Sequence, residues 1–148
     1  MKFKLLPPFL FLFCCLLMFF LTVSVPQLAF LPTPYNYLGF VLFFVGLSIV
    51  RKGQLIFKAV ETEINTFKPP KRLVTDGLFR YSRNPIYLGF TLALLGWAMV
   101  LGNLAALDGV LLFFLAAHFW YIPFEEKAMK KEFGTVYEQY KKRVRRWL

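Results

Sequence analysis

The chain has 148 residues, of which 58% are hydrophobic and 20% are aromatic. A water-soluble domain of this length seldom carries 19 Phe residues, so the composition indicates an integral membrane protein. The formal net charge of +10 fits attraction to the anionic head groups of membrane lipids. The placement of these charges, described below, argues against a nucleic-acid partner.

Four apolar stretches follow one another along the chain, at about residues 5–25, 31–50, 85–101 and 104–124. A helix needs ~20 residues to cross the hydrocarbon core of a bilayer. The sequence therefore predicts an all-α, polytopic membrane protein with about four transmembrane helices, arranged as a single domain over residues 1–148.

All 18 Lys and Arg residues fall on one side of this four-span arrangement. They precede the first span, lie between the second and third, or follow the fourth. The positive-inside rule makes that side cytoplasmic, so we predict that both termini and any active site are cytoplasmic.

The first span has a second interpretation, as a signal peptide, because Lys2 and Lys4 resemble the basic region of one. Its apolar run is longer than usual, and Val23-Ser24-Val25 is a poor cleavage site. We therefore favour a retained span. Cys14 and Cys15 are adjacent within it and are expected to be packing residues.

Two polar segments lie on the predicted cytoplasmic side, a loop over residues 51–84 and a tail over residues 125–148. Apolar residues at mostly helical spacing predict an amphipathic interfacial helix over residues 51–70, ended by two prolines. The tail also shows an apolar stripe opposite basic residues, which predicts an amphipathic helix that Gly134 bends or splits. Each helix has a simpler interpretation, as a connector or a membrane anchor.

The most informative pattern is Arg83-Asn84-Pro85-x-Tyr87. Proline disfavours a helical conformation in the residue before it and suits the first turn of a helix, while asparagine is a good N-cap. The third span is therefore predicted to start here. Its free backbone N–H groups and positive dipole end would face the cytoplasm, where they suit a carboxylate or phosphate.

Carboxylates and one histidine mark the inner part of the fourth span. Glu125 and Glu126 stand where ionised groups are costly unless they are paired, which invites a functional explanation beside that of a solvated helix start. His118 lies two turns earlier, so it is predicted to share a face with Glu125 and could handle protons with it. A hydrogen bond to a neighbouring helix is the alternative. Because His118 is the sole histidine, a histidine-rich metal centre is not expected.

Residues 73–89 and 125–144 together resemble the isoprenylcysteine carboxyl methyltransferase-like group of membrane methyltransferases, which is similar to phospholipid N-methyltransferases. The resemblance covers about residues 50–148. It implies methyl transfer from S-adenosylmethionine to a lipophilic small-molecule or lipid acceptor. By position, it implies a cofactor site formed by Lys71, Arg72, Leu73, Val74, Phe79, Asn84, Pro85, Ile86, Tyr87 and Glu125.

The resemblance also leaves the acceptor open. Eukaryotic members of the group have a substrate-binding arginine where this chain has Tyr121, and a histidine where it has Asn84. Loss of that arginine weakens the case for an acceptor carboxylate. Arg83 is a candidate orienting group, and Glu125 or His118 a candidate base for an amine acceptor.

Two alternatives remain at this stage. Some sterol-reductase-like proteins resemble the same C-terminal pattern, in which case Arg80 and Arg83 would bind the phosphate of NADPH. A membrane protein without turnover could also keep the fold. The sequence does not indicate an oligomeric state.

Overall fold

A computed structural model describes residues 5–25 and 29–148, so Lys2, Lys4 and the start of the predicted outer loop at Pro26 lie outside the described residues. The described chain is built from helices. These are α1 (Pro7–Ser24), α2 (Leu38–Ala59), α3 (Pro85–Leu101), α4 (Leu107–Ala116) and α5 (Ile122–Arg143). The predicted all-α membrane fold is confirmed.

The fourth predicted span is part of one long helical segment. A π-helical stretch, Ala117–Tyr121, joins α4 to α5, and helical structure runs from Leu104 to Arg143. This segment, α1 and Tyr35–Ala59 are long and apolar enough to cross a membrane. At 17 residues, α3 is about 25 Å long, somewhat less than the hydrocarbon thickness of about 30 Å.

The predicted interfacial helix over residues 51–70 is not a separate element. Its first part continues α2 as far as Ala59, because nothing in the sequence stops the helix at the charged pair that follows Val50. Glu61 then adopts a left-handed conformation with φ 55°, which ends the helix. The rest of the segment is loop as far as a short 3-10 turn at Gly77–Arg80.

Helices α2 and α3 pack backbone to backbone through glycines. A Cβ atom built on Gly46 would lie 2.5 Å from both the Ala93 nitrogen and the Gly89 carbonyl oxygen. Both of these neighbours are backbone atoms that cannot rotate away. This close packing holds the start of α3 against the inner end of α2, where the cavity described below is found.

We expect Gly46→Ala to destabilise the protein by an amount near the upper end of the about 1–3 kcal/mol typical of overpacking, because the new methyl group must push the two helices apart. Thermal unfolding in lipid nanodiscs would measure the loss. Ser48→Ala, on the exposed side of α2, is the matched control. Equal unfolding temperatures for the two variants would contradict the packing argument.

The core lies between α1, α3 and the long segment. Its fully buried side chains include Cys14 and Met18 of α1, Leu94 of α3, and Phe113 of α4. Both cysteines are free, and Cys14 belongs to the core cluster. The polar residues of the predicted site lie at one end of this core.

Candidate active site

A cavity of about 320 Å³ lies where the first residues of α1 and α3 meet the last turns of α2 and the first turns of α5. We call it the inner cavity. Most of its lining is apolar, and three charged side chains contribute to its wall: Arg83, Glu125 and Glu126. The sequence-predicted residues that line it are Leu73, Val74, Phe79, Arg83, Asn84, Pro85, Ile86, Tyr87 and Glu125.

The start of α3 forms one wall of the inner cavity. The helix begins at Pro85, as predicted, and Leu88 donates its backbone N–H to the Asn84 carbonyl. The prediction that the Asn84 side chain caps the helix is wrong. Its Nδ2 instead donates to the carbonyl oxygen of Arg146 at 2.9 Å, because the C-terminal residues fold back onto this turn. The first N–H groups of α3 therefore have no side-chain cap.

Tyr87 and Glu125 join opposite walls of the inner cavity. The Tyr87 hydroxyl donates to Glu125 Oε1 at 2.8 Å, and Thr66 Oγ1 lies 3.4 Å from the same hydroxyl. Glu125 has no cationic partner among the described residues, and its hydrogen-bond partners there are hydroxyl groups. A carboxylate held in this way suits a cationic or hydroxyl group of a ligand.

The second glutamate, Glu126, holds two arginines beside the inner cavity. Arg146 contacts Glu126 with two nitrogens, Nε to Oε1 at 3.2 Å and Nη2 to Oε2 at 2.7 Å. Arg83 reaches the same carboxylate with Nη2 alone, at 3.1 Å from Oε1. The Arg83 side chain is 8% exposed and that of Glu126 is 14% exposed. Adjacent residues of a helix project about 100° apart, so Glu125 and Glu126 contact different partners.

The C-terminal half of α5 reaches the inner cavity because the helix changes direction at Gly134. This residue has φ 48° and ψ −121°, outside the helical region. Beyond it, Tyr137 and Tyr140 are buried, and the Tyr140 hydroxyl donates to the Phe79 carbonyl at 2.6 Å. The predicted bend is therefore present, and the tail packs on the inner loop.

Residues 144–148, which we call the C-terminal strap, run past the start of α3. The Arg145 carbonyl accepts from the backbone N–H of Arg83 at 3.0 Å. The Arg146 carbonyl accepts from Ser82 Oγ at 3.4 Å and from Asn84. The strap thus satisfies backbone and side-chain donors that precede α3, and it fixes the Arg83–Asn84 turn.

His118 is not among the residues that line the inner cavity. Its Nδ1 accepts a hydrogen bond from the Trp147 indole at 3.1 Å, and its ring stacks on Phe114. The prediction that His118 and Glu125 share a face is wrong, because the π-helical stretch Ala117–Tyr121 lies between them. The extra residue in a π turn displaces the following side chains from α-helical register.

Lys71 and Arg72 also lie outside the cavity lining. Both are exposed, and both donate their backbone N–H to Thr62 Oγ1, at 3.3 and 3.2 Å. The Lys71 ammonium lies 3.4 Å from Glu63 Oε1. The structure therefore separates these two residues from the other members of the predicted cofactor site.

Sequence reasoning missed several lining residues. Gln54 and Phe57 reach the cavity because α2 extends inward beyond its predicted end, and Phe57 stacks on Phe79 with ring centroids 4.9 Å apart. The tyrosines of the tail were recognised as an apolar stripe, but the stripe itself does not reveal which surface it covers. The lining residues that were not predicted include Gln54, Phe57, Thr66, Glu126, Tyr137 and Tyr140.

Comparison with known proteins places this arrangement in a family. Residues 35–136 match the sequence profile described as phospholipid methyltransferase, a span that contains α2, α3 and most of the cavity wall. The chain belongs to the phospholipid methyltransferase family. The predicted resemblance to membrane methyltransferases is therefore confirmed.

Individual relatives of this phospholipid methyltransferase family member are named for different reactions. The chain is 43% identical over 100 residues to a protein-S-isoprenylcysteine O-methyltransferase of Schizosaccharomyces pombe, covering 66% of this chain and 40% of the relative. It is 32% identical over 129 residues to methanethiol S-methyltransferase 1 of Bradyrhizobium diazoefficiens, covering 82% of this chain and 42% of the relative. An uncharacterized protein of Haemophilus influenzae is 43% identical over 63 residues, which are 43% of this chain and 100% of that protein.

The chain therefore spans about two fifths of the length of the two named methyltransferases. No solved structure matches it.

Proposed function

We propose that this protein transfers a methyl group from S-adenosylmethionine to a lipophilic acceptor at the cytoplasmic face of a membrane. The observation that carries the proposal is the inner cavity, in which the start of α3 and Glu125 lie together in a mostly apolar lining. Family membership and the named methyltransferase relatives support the same reaction class.

The residues around the inner cavity fit the chemical groups of this cofactor. Glu125 lacks a cationic partner in the described chain and suits an ammonium or ribose hydroxyl group. The uncapped N-terminus of α3 suits a carboxylate. Stacked rings of Phe57 and Phe79 offer an apolar surface for a flat base. When bound, S-adenosylmethionine would supply an activated methyl group on a sulfonium.

The protein's part in this reaction is to position the reactants and to exclude water. Tyr87 orients the Glu125 carboxylate through their hydrogen bond. If the acceptor is an amine, Glu125 is the group in the cavity wall that could accept its proton. His118, bound to Trp147 outside the cavity lining, is not proposed for this role.

We propose that the acceptor is lipophilic and reaches the cavity from the membrane. The first residues of α1 and Phe90 of α3 give that part of the lining an apolar surface. Tyr121 is fully buried, and its hydroxyl donates to the Leu5 carbonyl at 2.8 Å. Tyr121 offers no positive charge to an acceptor. This favours an acceptor that has no carboxylate near the Tyr121 side chain.

The charge pattern supports a cytoplasmic position for the cavity and for both termini. Exposed basic residues lie in the inner loop and the tail, including Lys71, Arg72, Lys141 and Lys142. The reductase alternative required Arg80 and Arg83 to face one phosphate. Arg80 is exposed and outside the cavity lining, whereas Arg83 is buried and paired with Glu126, so the geometry gives that alternative no support.

Binding of labelled S-adenosylmethionine to the purified, nanodisc-embedded protein tests the proposal. We expect Glu125→Ala to weaken binding about ten- to hundredfold, since hydrogen bonds to charged groups contribute about 1.5–3 kcal/mol. Asn84→Ala should weaken it less, because it loosens the turn before α3 and leaves the ligand-facing charges in place. Glu132→Ala, an exposed position on the same helix as Glu125, is the control.

No binding by the intact protein would refute the proposal. Binding without methylation of any component of a membrane lipid extract would instead support a protein that keeps the fold without turnover. Products resolved by mass would identify the acceptor.

A further inference from the structure

Arg83, which lines the inner cavity, is only partly neutralised by its carboxylate partner Glu126. Two guanidinium groups, those of Arg83 and Arg146, share the single carboxylate of Glu126. Arg146 takes both oxygens of that carboxylate, while Arg83 contacts one of them with one nitrogen. The charge of Arg83 is therefore the less well compensated of the two.

Arg83 also keeps unused hydrogen-bond donors. Its Nε and Nη1 are buried and have no hydrogen-bond partner among the described residues, although the side chain is only 8% exposed. Buried guanidinium donors are normally satisfied, and each one left without a partner is costly. Arg83 lines the inner cavity, so a ligand in the cavity is the available source of an acceptor.

The start of α3 provides a second, independent attraction for negative charge beside Arg83. The helix has 17 residues, and the side chain that would normally cap it is bound to the C-terminal strap. The uncapped N–H groups and the positive end of the helix dipole favour an anion there. Ile86 and Tyr87, in this first turn, line the same cavity.

Glu125, which is next to Glu126 on α5, adds a negative charge to the same cavity wall. Arg83 is tied to Glu126 and Tyr87 to Glu125, so the cavity wall presents an under-compensated cation beside a carboxylate without a cationic partner. Such a pair complements a zwitterion, with its carboxylate on the arginine and its ammonium on the glutamate.

We infer that Arg83, together with the uncapped start of α3, binds the carboxylate of an α-amino-acid group, whose ammonium lies toward Glu125. This inference rests on the proposed function, because the amino-acid group in question is that of S-adenosylmethionine. It makes Arg83 a ligand-binding residue in addition to a partner of Glu126. A zwitterionic lipid head group, with phosphate in place of the carboxylate, is the competing source of the same charges.

The test compares S-adenosylhomocysteine with its decarboxylated analogue, by calorimetry on the intact protein in nanodiscs. The wild type should bind S-adenosylhomocysteine about ten- to hundredfold more tightly. Arg83→Gln should lose most of this preference by weakening S-adenosylhomocysteine binding while leaving the affinity for the analogue nearly unchanged. Arg80→Gln, an exposed arginine of the same segment, should behave as the wild type.

The outcomes separate the possible roles of Arg83. An equal loss of affinity for both ligands in Arg83→Gln would show that the residue only supports Glu126, and would overturn the inference. A wild type that binds both ligands equally would also overturn it, even if the variant does not fold. If S-adenosylhomocysteine and its decarboxylated analogue bind alike, and phosphoethanolamine competes only when Arg83 is present, the anion that Arg83 binds is the phosphate of a lipid head group. If the wild type binds neither S-adenosylhomocysteine nor its decarboxylated analogue, the proposed function itself is refuted.

Discussion

Glu126→Ala should lower the free energy of unfolding by about 3–5 kcal/mol, the cost typical of removing one partner of a buried ion pair. The substitution leaves Arg83 buried without its carboxylate and also frees Arg146, which is 29% exposed and can be hydrated more easily. The strap should loosen as well, because Arg146 lies within it. Chemical unfolding in detergent micelles, followed by tryptophan fluorescence, would measure the change.

Glu138→Ala provides the matched control on the same helix. Glu138 pairs with Lys130 at 3.1 Å, but the two side chains are 39% and 68% exposed, so water screens that pair and it contributes little to stability. A Glu126→Ala variant that is no less stable than Glu138→Ala would show that the two arginines do not depend on Glu126.

Gly134→Val should prevent the second half of α5 from folding back on the inner loop. The backbone at Gly134, with φ 48° and ψ −121°, is accessible to glycine but strained for a β-branched residue. No neighbouring atom lies within 4 Å of a Cβ at this position, so the obstacle is the backbone conformation and not a clash. Holding it would cost about 1–3 kcal/mol, and continuing the helix straight would avoid that cost.

A straight helix would carry Tyr137, Tyr140 and the strap away from the cavity. We therefore expect faster hydrogen exchange over residues 135–148, tryptic cleavage after Lys141 and Lys142, and at least tenfold weaker binding of S-adenosylmethionine. Thr135→Val places the same side chain at the next, exposed position and should change none of these. Unaltered exchange in Gly134→Val would mean that the turn tolerates a side chain.

The parts of the site that local chemistry determines were predictable from the sequence. The Asn84-Pro85 pair marks a helix start because proline acts on the residue before it and has no N–H to lose. That start is present at Pro85. A carboxylate at the inner end of a span needs a partner, and the family resemblance implied that Glu125 closes the site; Tyr87 is its hydrogen-bond partner.

The π-helical stretch shows why the face of a long helix could not be predicted from residue spacing. His118 and Glu125 are seven residues apart, which is close to two α-helical turns. One additional residue in the intervening turn shifts this relation by about 100°. No residue in Ala117–Tyr121 signals such a turn, so the assignment of His118 to the site failed.

Long-range contacts limited the rest of the prediction. The amide of Asn84 could serve either as a helix cap or as a donor to a distant carbonyl, and a residue 62 positions away in the chain decides between them. The basic side chains of Lys71 and Arg72 were likewise assigned to the site by position, but the loop directs their backbone toward Thr62.

The C-terminal strap has a consequence for how the protein is made. Its carbonyl groups complete the turn at Arg83 and Asn84, yet they are synthesised long after the helices that they hold in place. The first helices, α1 and α2, can enter the bilayer while the ribosome is still translating the tail. The turn at Arg83 and Asn84, in contrast, can be completed only after residue 146 has left the ribosome, so a nascent chain passes through a stage at which its first spans are in the membrane and this part of the cavity wall is incomplete.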